Sequence, residues 1–225
     1  MLKEPVALVT GVTGTLGRAT AVALQGAGFR VAGMSRSGSA PPNVALEQAD
    51  VTRWDDVHAA IDRLLQRFGR IDALVNVAGG FAGGKTVADT DEHEWDLMMD
   101  LNLKSVFVLC KAVIPAMLSA GFGRIINVSS RTAVEPSALY AVYGVSKMGV
   151  LTLTQTLALE LKNHNVTVNA VLPSIVDTPA NRQSMPNADF AKWVRPEAIA
   201  AVIVDVVSDR WGVVSGAAIP VFGRA

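Results

Sequence analysis

A hydroxyl, a phenol and an ammonium group lie close together in the segment SRTAVEPSALYAVYGVSK, residues 130–147. Tyr143 and Lys147 are four residues apart, so a helix from Leu139 onward would place both on one face. A nearby ammonium stabilises a phenolate, and a phenol whose pKa is lowered from about 10 can exchange a proton near neutral pH. Ser130 ends the apolar run RIINVSS, where we expect a buried strand to meet a loop. These three groups could act on a carbonyl as one unit.

The same spacing also arises by chance, with a packed tyrosine and a solvated lysine. Tyr140 offers an internal comparison, because the residue four positions after it is Gly144, which supplies no cation. We therefore predict that Tyr140 is a packing residue. Whether Tyr143 is chemically active depends on the elements around it.

Short β-branched segments alternate with longer segments of helical period, which predicts a parallel sheet with helices on both faces. The helix predicted from Asp55 to Phe68 shows the pattern, with one apolar stripe and with Thr52 and Asp55 in capping-box spacing. The seven predicted strands are PVALVT, FRVAGM, VALEQAD, IDALVNVAG, GRIINVSS, NVTVNAVLP and AAIPV. Because half of the 225 residues are apolar, we expect one domain, 1–225, with an α/β, Rossmann-type, doubly wound, three-layered fold.

Glycines recur at every third position in TGVTGTLG, where the first strand opens into a helix. Such a turn lets the backbone approach a pyrophosphate, while the helix N-terminus supplies unpaired N–H groups. A tight turn with close helix packing would also need glycines. The place of this turn, at the first crossover of the predicted sheet, favours a dinucleotide site.

The end of the second strand bears on which dinucleotide binds. An NAD site usually carries a carboxylate there for the ribose hydroxyls, whereas this chain reads VAGMSRS and has no carboxylate between Glu4 and Glu47. Arg36 could pair with a ribose 2′-phosphate, and Ser35 could donate a hydrogen bond to it. We therefore predict NADP(H) rather than NAD(H). The alternative is that Arg36 is a solvated surface residue.

Residues after the third and fourth strands extend the predicted cofactor site. Asp50, in QADVT, is a candidate for contact with the adenine amino group or, alternatively, a helix-entry residue. Small residues in NVAGG, which starts at Asn76, would let the backbone pass close to the cofactor. The FAGGK loop that follows is rich in glycine, which predicts a flexible border of the substrate mouth.

Composition and charge bear on the partners. Twenty basic and twenty acidic residues cancel without a like-charge block, so we expect no nucleic acid and no anionic membrane as a partner. Neither a signal peptide nor a membrane-spanning run is predicted, which favours a cytoplasmic protein. Cys110 is predicted to be a core residue. The isolated histidines His58, His93 and His164 lack metal-ligand spacing, so no metal is expected.

With these motifs placed, the chain resembles the short-chain dehydrogenase/reductase family over almost its whole length. The matching motifs are Thr10-Gly11 with the glycine turn, Asp50-Val51, the NVAG segment, Asn102 in LNLKSVF, Ser130 with Tyr143 and Lys147, and Asn169-Ala-Val-Leu-Pro173 followed by Thr178. The resemblance implies an oxidoreductase with a catalytic tetrad of Asn102, Ser130, Tyr143 and Lys147.

The family also implies a role for each of these groups. Tyr143 would give a proton to the carbonyl oxygen, and Ser130 would hydrogen-bond the same oxygen. Lys147 would bind the nicotinamide ribose and tune Tyr143, while Asn102 would hold a water of the proton relay. The full cofactor site predicted from the motifs and the resemblance comprises Gly11, Thr13, Gly14, Thr15, Leu16, Gly17, Ser35, Arg36, Asp50, Val51, Asn76, Ala78, Gly79, Pro173, Val176 and Thr178.

The chain departs from the common family pattern in two loops. Thr15 follows Gly14 where many members have the middle glycine of the turn, and Ser174 replaces the glycine usual after Pro173. A third feature concerns specificity, because VLPSIVDTPANRQSMPNADFAKW and VAGGFAGG resemble segments of quinonoid dihydropteridine reductase. That subfamily favours NADH and lacks the serine of the tetrad, unlike this chain with Arg36 and Ser130. The likeness implies a short substrate lid at about residues 174–195.

Three functions follow as hypotheses. The first is NADP(H)-dependent reduction of a ketone or aldehyde of a small molecule, and the second is reduction of a quinonoid pterin. The third, a non-enzymatic dinucleotide sensor, has no need of a tuned phenol. In the lid, Met185, Phe190 and Trp193 would line an apolar cleft or anchor the lid.

The helical segments LNLKSVFVLCKAVIPAML and YGVSKMGVLTLTQTLALELK are apolar over more than one face. Family members pair through these helices, so we predict a homodimer or a homotetramer.

Overall fold

A computed structural model describes residues 4–224 and contains one sheet of seven parallel strands in the order β3-β2-β1-β4-β5-β6-β7. The order reverses between β1 and β4, which is the point where ligands bind in open α/β sheets. This architecture confirms the predicted Rossmann-type, doubly wound α/β fold in a single domain. The strands are β1 Val6–Thr10, β2 Arg30–Ser35, β3 Ala45–Gln48, β4 Ala73–Asn76, β5 Gly123–Val128, β6 Val166–Pro173 and β7 Ala218–Val221.

Helices cover both faces of the sheet and complete three layers. Successive strand residues alternate between two cores, so that Leu8 packs with the α2, α4 and α5 layer whereas Val9 packs with the α1 and α7 layer. The helices are α1 Thr15–Gly26, α2 Trp54–Phe68, α3 Glu92–Met98, α4 Ser105–Ala120, α5 Ala141–Glu160, α6 Pro179–Ser184 and α7 Pro196–Val207. A π-helical turn, Met99–Lys104, joins α3 to α4.

The α3–α4 helix is continuous from Glu92 to Ala120 and is, by length and composition alone, apolar enough to cross a membrane. It packs as a core helix instead, because Val106, Leu109 and Val113 are buried in the apolar cluster on one face of the sheet. Cys110 is also buried in this cluster, as expected, and burial raises the pKa of its thiol to about 12.

The start of α2 differs from the expectation. The helix begins at Trp54 after Arg53, which gives no side-chain cap, so the predicted Thr52 capping box is wrong. The Thr52 amide and hydroxyl instead donate to the Asp50 carboxylate at 2.9 and 2.7 Å. A short acidic side chain that accepts from the residue two positions later forms a local turn, and this turn competes with the capping geometry.

Candidate active site

The glycine turn forms the floor of a cleft between β1 and β4. Gly11 has a φ of +63°, and a Cβ there would lie 3.0 Å from the Cα of Ala78 on the neighbouring loop. A Cβ on Gly17 would lie 2.1 Å from the Gly11 carbonyl oxygen, so no larger residue fits. Gly14 precedes α1 without a side-chain cap, which leaves the first N–H groups of the helix available to a phosphate.

This cleft encloses a cavity of about 380 Å³. Twelve of the predicted cofactor residues line it: Gly11, Thr13, Gly14, Thr15, Leu16, Gly17, Ser35, Arg36, Val51, Ala78, Gly79 and Thr178. The other lining residues, all apolar, were not among the predicted cofactor residues, although Val77 lies within the NVAG motif: Met34, Ala49, Val77, Leu101 and Ala180. The crowded glycines and the uncapped helix fit a dinucleotide whose pyrophosphate faces α1.

Hydroxyl and guanidinium groups meet at the end of β2. The Thr13 and Ser35 hydroxyl oxygens are 2.8 Å apart, and the Ser35 hydroxyl also lies 3.1 Å from the Ser37 carbonyl oxygen. Arg36 is exposed and lines the cavity. Arg18, which the sequence motifs did not single out, donates to the Ser39 carbonyl at 2.7 Å and so holds the loop after β2 against α1. The two arginines and the hydroxyls make this end of the cleft suited to an anion.

Four predicted cofactor residues lie outside the lining of the cavity. The Asp50 carboxylate accepts hydrogen bonds from Thr52. Burial raises the pKa of this carboxyl, but the hydrogen bonds from Thr52 and the charge of Arg36 together lower it by more, so the pKa lies below its usual value. The contact of Asp50 with the adenine amino group stays a prediction, because a carboxylate that accepts from Thr52 keeps further acceptor sites. Asn76 is buried and donates to Asn127 at 2.8 Å, which makes it part of the core between strands. Pro173 ends β6, and Val176 forms a bridge with Val194 in the 174–195 segment.

Lys147 lies in the core beside the cleft. Its Nζ atom donates to the Val128 carbonyl at 3.0 Å, and its own carbonyl accepts from Ser129 at 2.8 Å. Both contacts fix α5 against the carboxyl end of β5. Burial lowers the pKa of the ammonium to about 8. A Cβ on Gly79 would lie 3.4 Å from this nitrogen, so the ammonium lies directly behind a wall residue of the cofactor cavity.

Tyr143 lies one turn before Lys147 on the same helix, as the spacing predicts, and Lys147 Nζ is 5.9 Å from its ring centre. Burial raises the pKa of the phenol, and interaction with the Ser130 hydroxyl lowers it in part. The expected lowering by Lys147 is therefore wrong for the protein without cofactor. The reason is that the ammonium is directed to the Val128 carbonyl, so burial outweighs the charge. The phenol stays protonated at neutral pH.

Ser130 is buried where β5 gives way to a 3₁₀ turn, Arg131–Ala133. Its hydroxyl oxygen accepts from the Thr132 amide at 3.2 Å and from the Thr132 hydroxyl at 2.9 Å. These two bonds leave the Ser130 proton free to point toward Tyr143 or toward a ligand. Tyr143 and Ser130 thus interact with each other, although neither lines the cavity around the glycine turn.

Asn102 is fully buried in the π-helical turn between α3 and α4. Its amide oxygen accepts from the Gly80 amide at 2.8 Å, and its amide nitrogen donates to the Gly80 carbonyl at 3.1 Å and to Ser146 at 3.0 Å. The side chain therefore ties the loop after β4 to α5, next to Lys147. A π-helical turn is rare and often marks a functional site. Nothing in the apolar pattern of LNLKSVF distinguishes this turn from an α-helix.

The FAGGK loop is fastened at two points, although its glycines predicted flexibility. The Gly84 amide donates to the Leu139 carbonyl at 2.8 Å. Phe81 stacks edge-on against Tyr143, with ring centres 5.1 Å apart, and contacts Tyr140 at 5.5 Å. Tyr140 is therefore a packing residue, as predicted.

The 174–195 segment begins and ends at a bridge between Val176 and Val194. Arg182 holds its middle through two hydrogen bonds to Asp177, at 2.6 and 2.8 Å, and stacks over Phe190. Trp193 is buried, so it anchors the segment rather than lining a cleft. The role of the segment as a substrate lid stays a prediction.

The fold, the glycine cleft and the tyrosine–lysine pair define a nucleotide-dependent oxidoreductase. Residues 5–189 match the family model described as short chain dehydrogenase, and the chain belongs to this family. It is 31% identical to the 3-oxoacyl-[acyl-carrier-protein] reductase FabG of Thermotoga maritima, over 99% of this chain and 98% of the relative. A 3-oxoacyl-[acyl-carrier-protein] reductase of Synechocystis sp. is 36% identical, over 92% and 91% of the two chains.

Other relatives carry different names on the same scaffold. A D-threitol dehydrogenase of Mycolicibacterium smegmatis is 32% identical, over 99% of this chain and 93% of the relative. Among solved structures, gox2181 superposes with a TM-score of 0.92 at 27% identity and covers 99% of this chain and 95% of its own. The spread of names shows that the fold and the family do not select the substrate.

Proposed function

We propose that this chain is an NADP(H)-dependent reductase of a ketone or aldehyde group in a small molecule. The observation that carries the proposal is that Tyr143 interacts with the Ser130 hydroxyl one helical turn before Lys147, whose ammonium lies behind Gly79 in the wall of the cofactor cavity. Lys147 and Asn102 lie behind the same wall residue, since a Cβ on Gly79 would meet both side chains. A protein that only binds dinucleotides has no use for a hydroxyl and a phenol arranged in this way.

Each residue of the site has a separate role in this reaction. The cofactor, when bound, supplies the hydride. Tyr143 is protonated at neutral pH and gives its proton to the carbonyl oxygen, while the Ser130 hydroxyl donates a hydrogen bond to that oxygen and stabilises the developing charge. Lys147 stabilises the phenolate that remains, and holds a ribose hydroxyl. Asn102 orders the loop at Gly80 and so keeps space for the water that returns a proton to the relay.

The raised pKa of Tyr143 suits the reductive direction. An acid has to carry its proton at working pH, and burial of the phenol ensures that it does. The names of the FabG relatives describe reduction of a 3-oxo group, which is the same step. A carbonyl substrate is therefore the best match to both the site and the relatives.

Reduction of a quinonoid pterin is the second candidate; it rests on the sequence resemblance of two segments alone, and the relatives named above give it no support. Ser130 and Arg36 favour the carbonyl candidate, because a single hydroxyl aimed at one oxygen stabilises an alkoxide more than a charge spread over a ring. NADPH oxidation by the purified protein should be measured with ketones, diketones, quinones and quinonoid pterin. If the protein reduced quinonoid pterin but no ketone, pterin reduction would become the first candidate.

The choice of NADP(H) predicts a large effect of Arg36. A charge-assisted pair contributes roughly 1.5 to 3 kcal/mol, so Arg36→Ala should weaken NADPH binding about ten- to hundredfold and leave NADH binding nearly unchanged. Titration of cofactor fluorescence measures both affinities. Arg210→Ala, which removes an exposed arginine from the turn Asp209–Trp211, is the matched control and should change neither. Equal affinity of the unaltered protein for NADH and NADPH would contradict this assignment.

Assembly into a homodimer or homotetramer is also proposed. Phe107 on α4 and Val145, Met148 and Leu159 on α5 leave 44–70% of their side-chain surfaces exposed. Two such helices from each of two chains could bury these residues in a two-fold interface. A cytoplasmic location stays a prediction.

Light scattering should therefore return twice or four times the chain mass of 23.7 kDa. Phe107→Asp should shift the protein toward monomer, because a two-fold axis brings the new charges of both chains together. Val213→Asp alters a side chain that is 96% exposed outside these helices and should leave the mass unchanged. A single-chain mass for the unaltered protein at micromolar concentration, measured by light scattering, would refute the proposed assembly.

A further inference from the structure

Phe81 is the most unusual apolar residue near the site. Its ring packs edge-on against the Tyr143 ring at 5.1 Å, yet 65% of the residue is exposed. An aromatic ring that touches the proton donor and still faces water has a free surface at the place where substrate must bind. The bonding of α5 to β5 does not need this ring, since Lys147 and Ser129 provide it.

The loop that carries Phe81 is held in one position. Gly84 donates to the carbonyl of Leu139, a residue whose φ of +68° is strained for a branched side chain. A Cβ on Gly83 would lie 2.3 Å from the Tyr140 ring, so the glycine permits a close approach of the loop to that ring. Tyr140 in turn supports Phe81 at 5.5 Å. The exposed ring thus packs against two tyrosine rings, Tyr140 and Tyr143.

We infer that Phe81 is a specificity-determining residue that selects carbonyl substrates with a flat, apolar group next to the carbonyl. The inference rests on the proposed function, because it takes Tyr143 as the donor to the carbonyl oxygen. A group bonded to that carbonyl carbon lies within a few ångströms of the phenol, and therefore beside the exposed ring. A planar group stacks on the ring and removes apolar surface from water, whereas a short aliphatic group leaves most of it wet.

The test compares two ketones with the same enzyme: acetophenone, which has a flat ring next to the carbonyl, and 2-butanone, which does not. Phe81→Leu keeps apolar volume but removes the ring, and should lower kcat/KM for acetophenone about tenfold, mainly through KM, with less than about twofold change for 2-butanone. Phe81→Tyr keeps the ring and should retain the preference. Val87→Ala alters a residue that is 75% exposed and should leave kcat/KM unchanged for both ketones.

The outcomes separate the inference from the function beneath it. Turnover of both ketones with an equal fall for both in Phe81→Leu would overturn the inference alone, because a merely structural role of Phe81 lowers both together. A lower light-scattering mass for Phe81→Leu would also overturn it, since the ring would then belong to a subunit interface. Failure of the unaltered protein to reduce any carbonyl compound in the wider panel would overturn the proposed function and this inference with it.

Discussion

Tyr143→Phe should lower kcat/KM for ketone reduction by about 10²-fold or more, because it removes only the proton that the site gives to the carbonyl oxygen. The substitution keeps the ring, so the edge-on contact with Phe81 remains. NADPH binding should stay within about twofold, since the phenol does not line the cavity around the glycine turn. The expected signature is loss of turnover with intact cofactor affinity, measured by steady-state kinetics and cofactor titration.

Tyr140→Phe is the matched control, because these are the two tyrosines of the chain and they lie three residues apart. The control retains the ring that packs against Phe81 and the close approach to Gly83. It should therefore leave kcat/KM within about twofold of the unaltered protein. Full activity of Tyr143→Phe, or an equal loss in both variants, would contradict the role given to the Tyr143 hydroxyl.

The fold and the convergence of the site followed from sequence for a simple reason. In a parallel sheet all strands end at the same edge, so motifs that follow β1, β2, β4 and β5 have to meet there. The turn at Gly11 and the Ser35-Arg36 pair line one cavity, as this rule predicts, whereas Ser130 lies outside its lining and interacts with Tyr143. Helical spacing alone put Tyr143 and Lys147 on one face of α5.

The predictions failed where they depended on burial or on a single hydrogen bond. The spacing of Tyr143 and Lys147 does not reveal that the ammonium is bonded to the Val128 carbonyl. The direction of the Tyr143 pKa shift was therefore wrong. Asp50 had two candidate roles at the sequence level, and its contacts with Thr52 could not be read from the sequence.

The contacts made by loops also could not be predicted from the sequence. Glycine content predicted a flexible FAGGK loop, but a backbone bond and the ring of Phe81 fix it against α5. The apolar residues around Asn102 have the spacing of an α-helix. This spacing therefore does not indicate the extra residue of the π-helical turn. In both places the tertiary contacts override the local preference.

Lys147 gives the second large effect, and here stability and activity should change in opposite directions. The ammonium is buried and donates a hydrogen bond to the Val128 carbonyl. Burial lowers its pKa from 10.5 to about 8, which corresponds to roughly 3 kcal/mol of destabilisation of the charged form. Lys147→Met removes the charge but keeps an apolar chain of similar length. Removal of the buried charge should raise the free energy of unfolding, and loss of the hydrogen bond to Val128 offsets roughly 1 kcal/mol of that increase.

The sign of the pH dependence follows from proton binding. Between pH 8 and 10.5 the unfolded chain keeps the Lys147 proton while the folded protein has released it. The stability of the unaltered protein therefore rises with pH through this window relative to the variant, and falls as pH drops through about 8. At pH 7 the variant without cofactor should be more stable by roughly 2 kcal/mol, and this difference should disappear and reverse by about pH 10.5.

Urea unfolding of both proteins without cofactor, at several pH values from 7 to 10.5, measures this difference. At pH 7, where Lys147 is charged, kcat/KM for ketone reduction should fall about 10²-fold or more in Lys147→Met, because the phenolate left by Tyr143 loses its neighbouring charge. Lys162→Met removes an exposed lysine just after α5 and should change neither quantity. A stability difference that stays constant with pH, or a variant less stable than the unaltered protein at pH 7, would show that burial does not destabilise the Lys147 charge. Stability that rises as activity is lost would instead mark Lys147 as a residue kept for its chemistry at a cost to the fold.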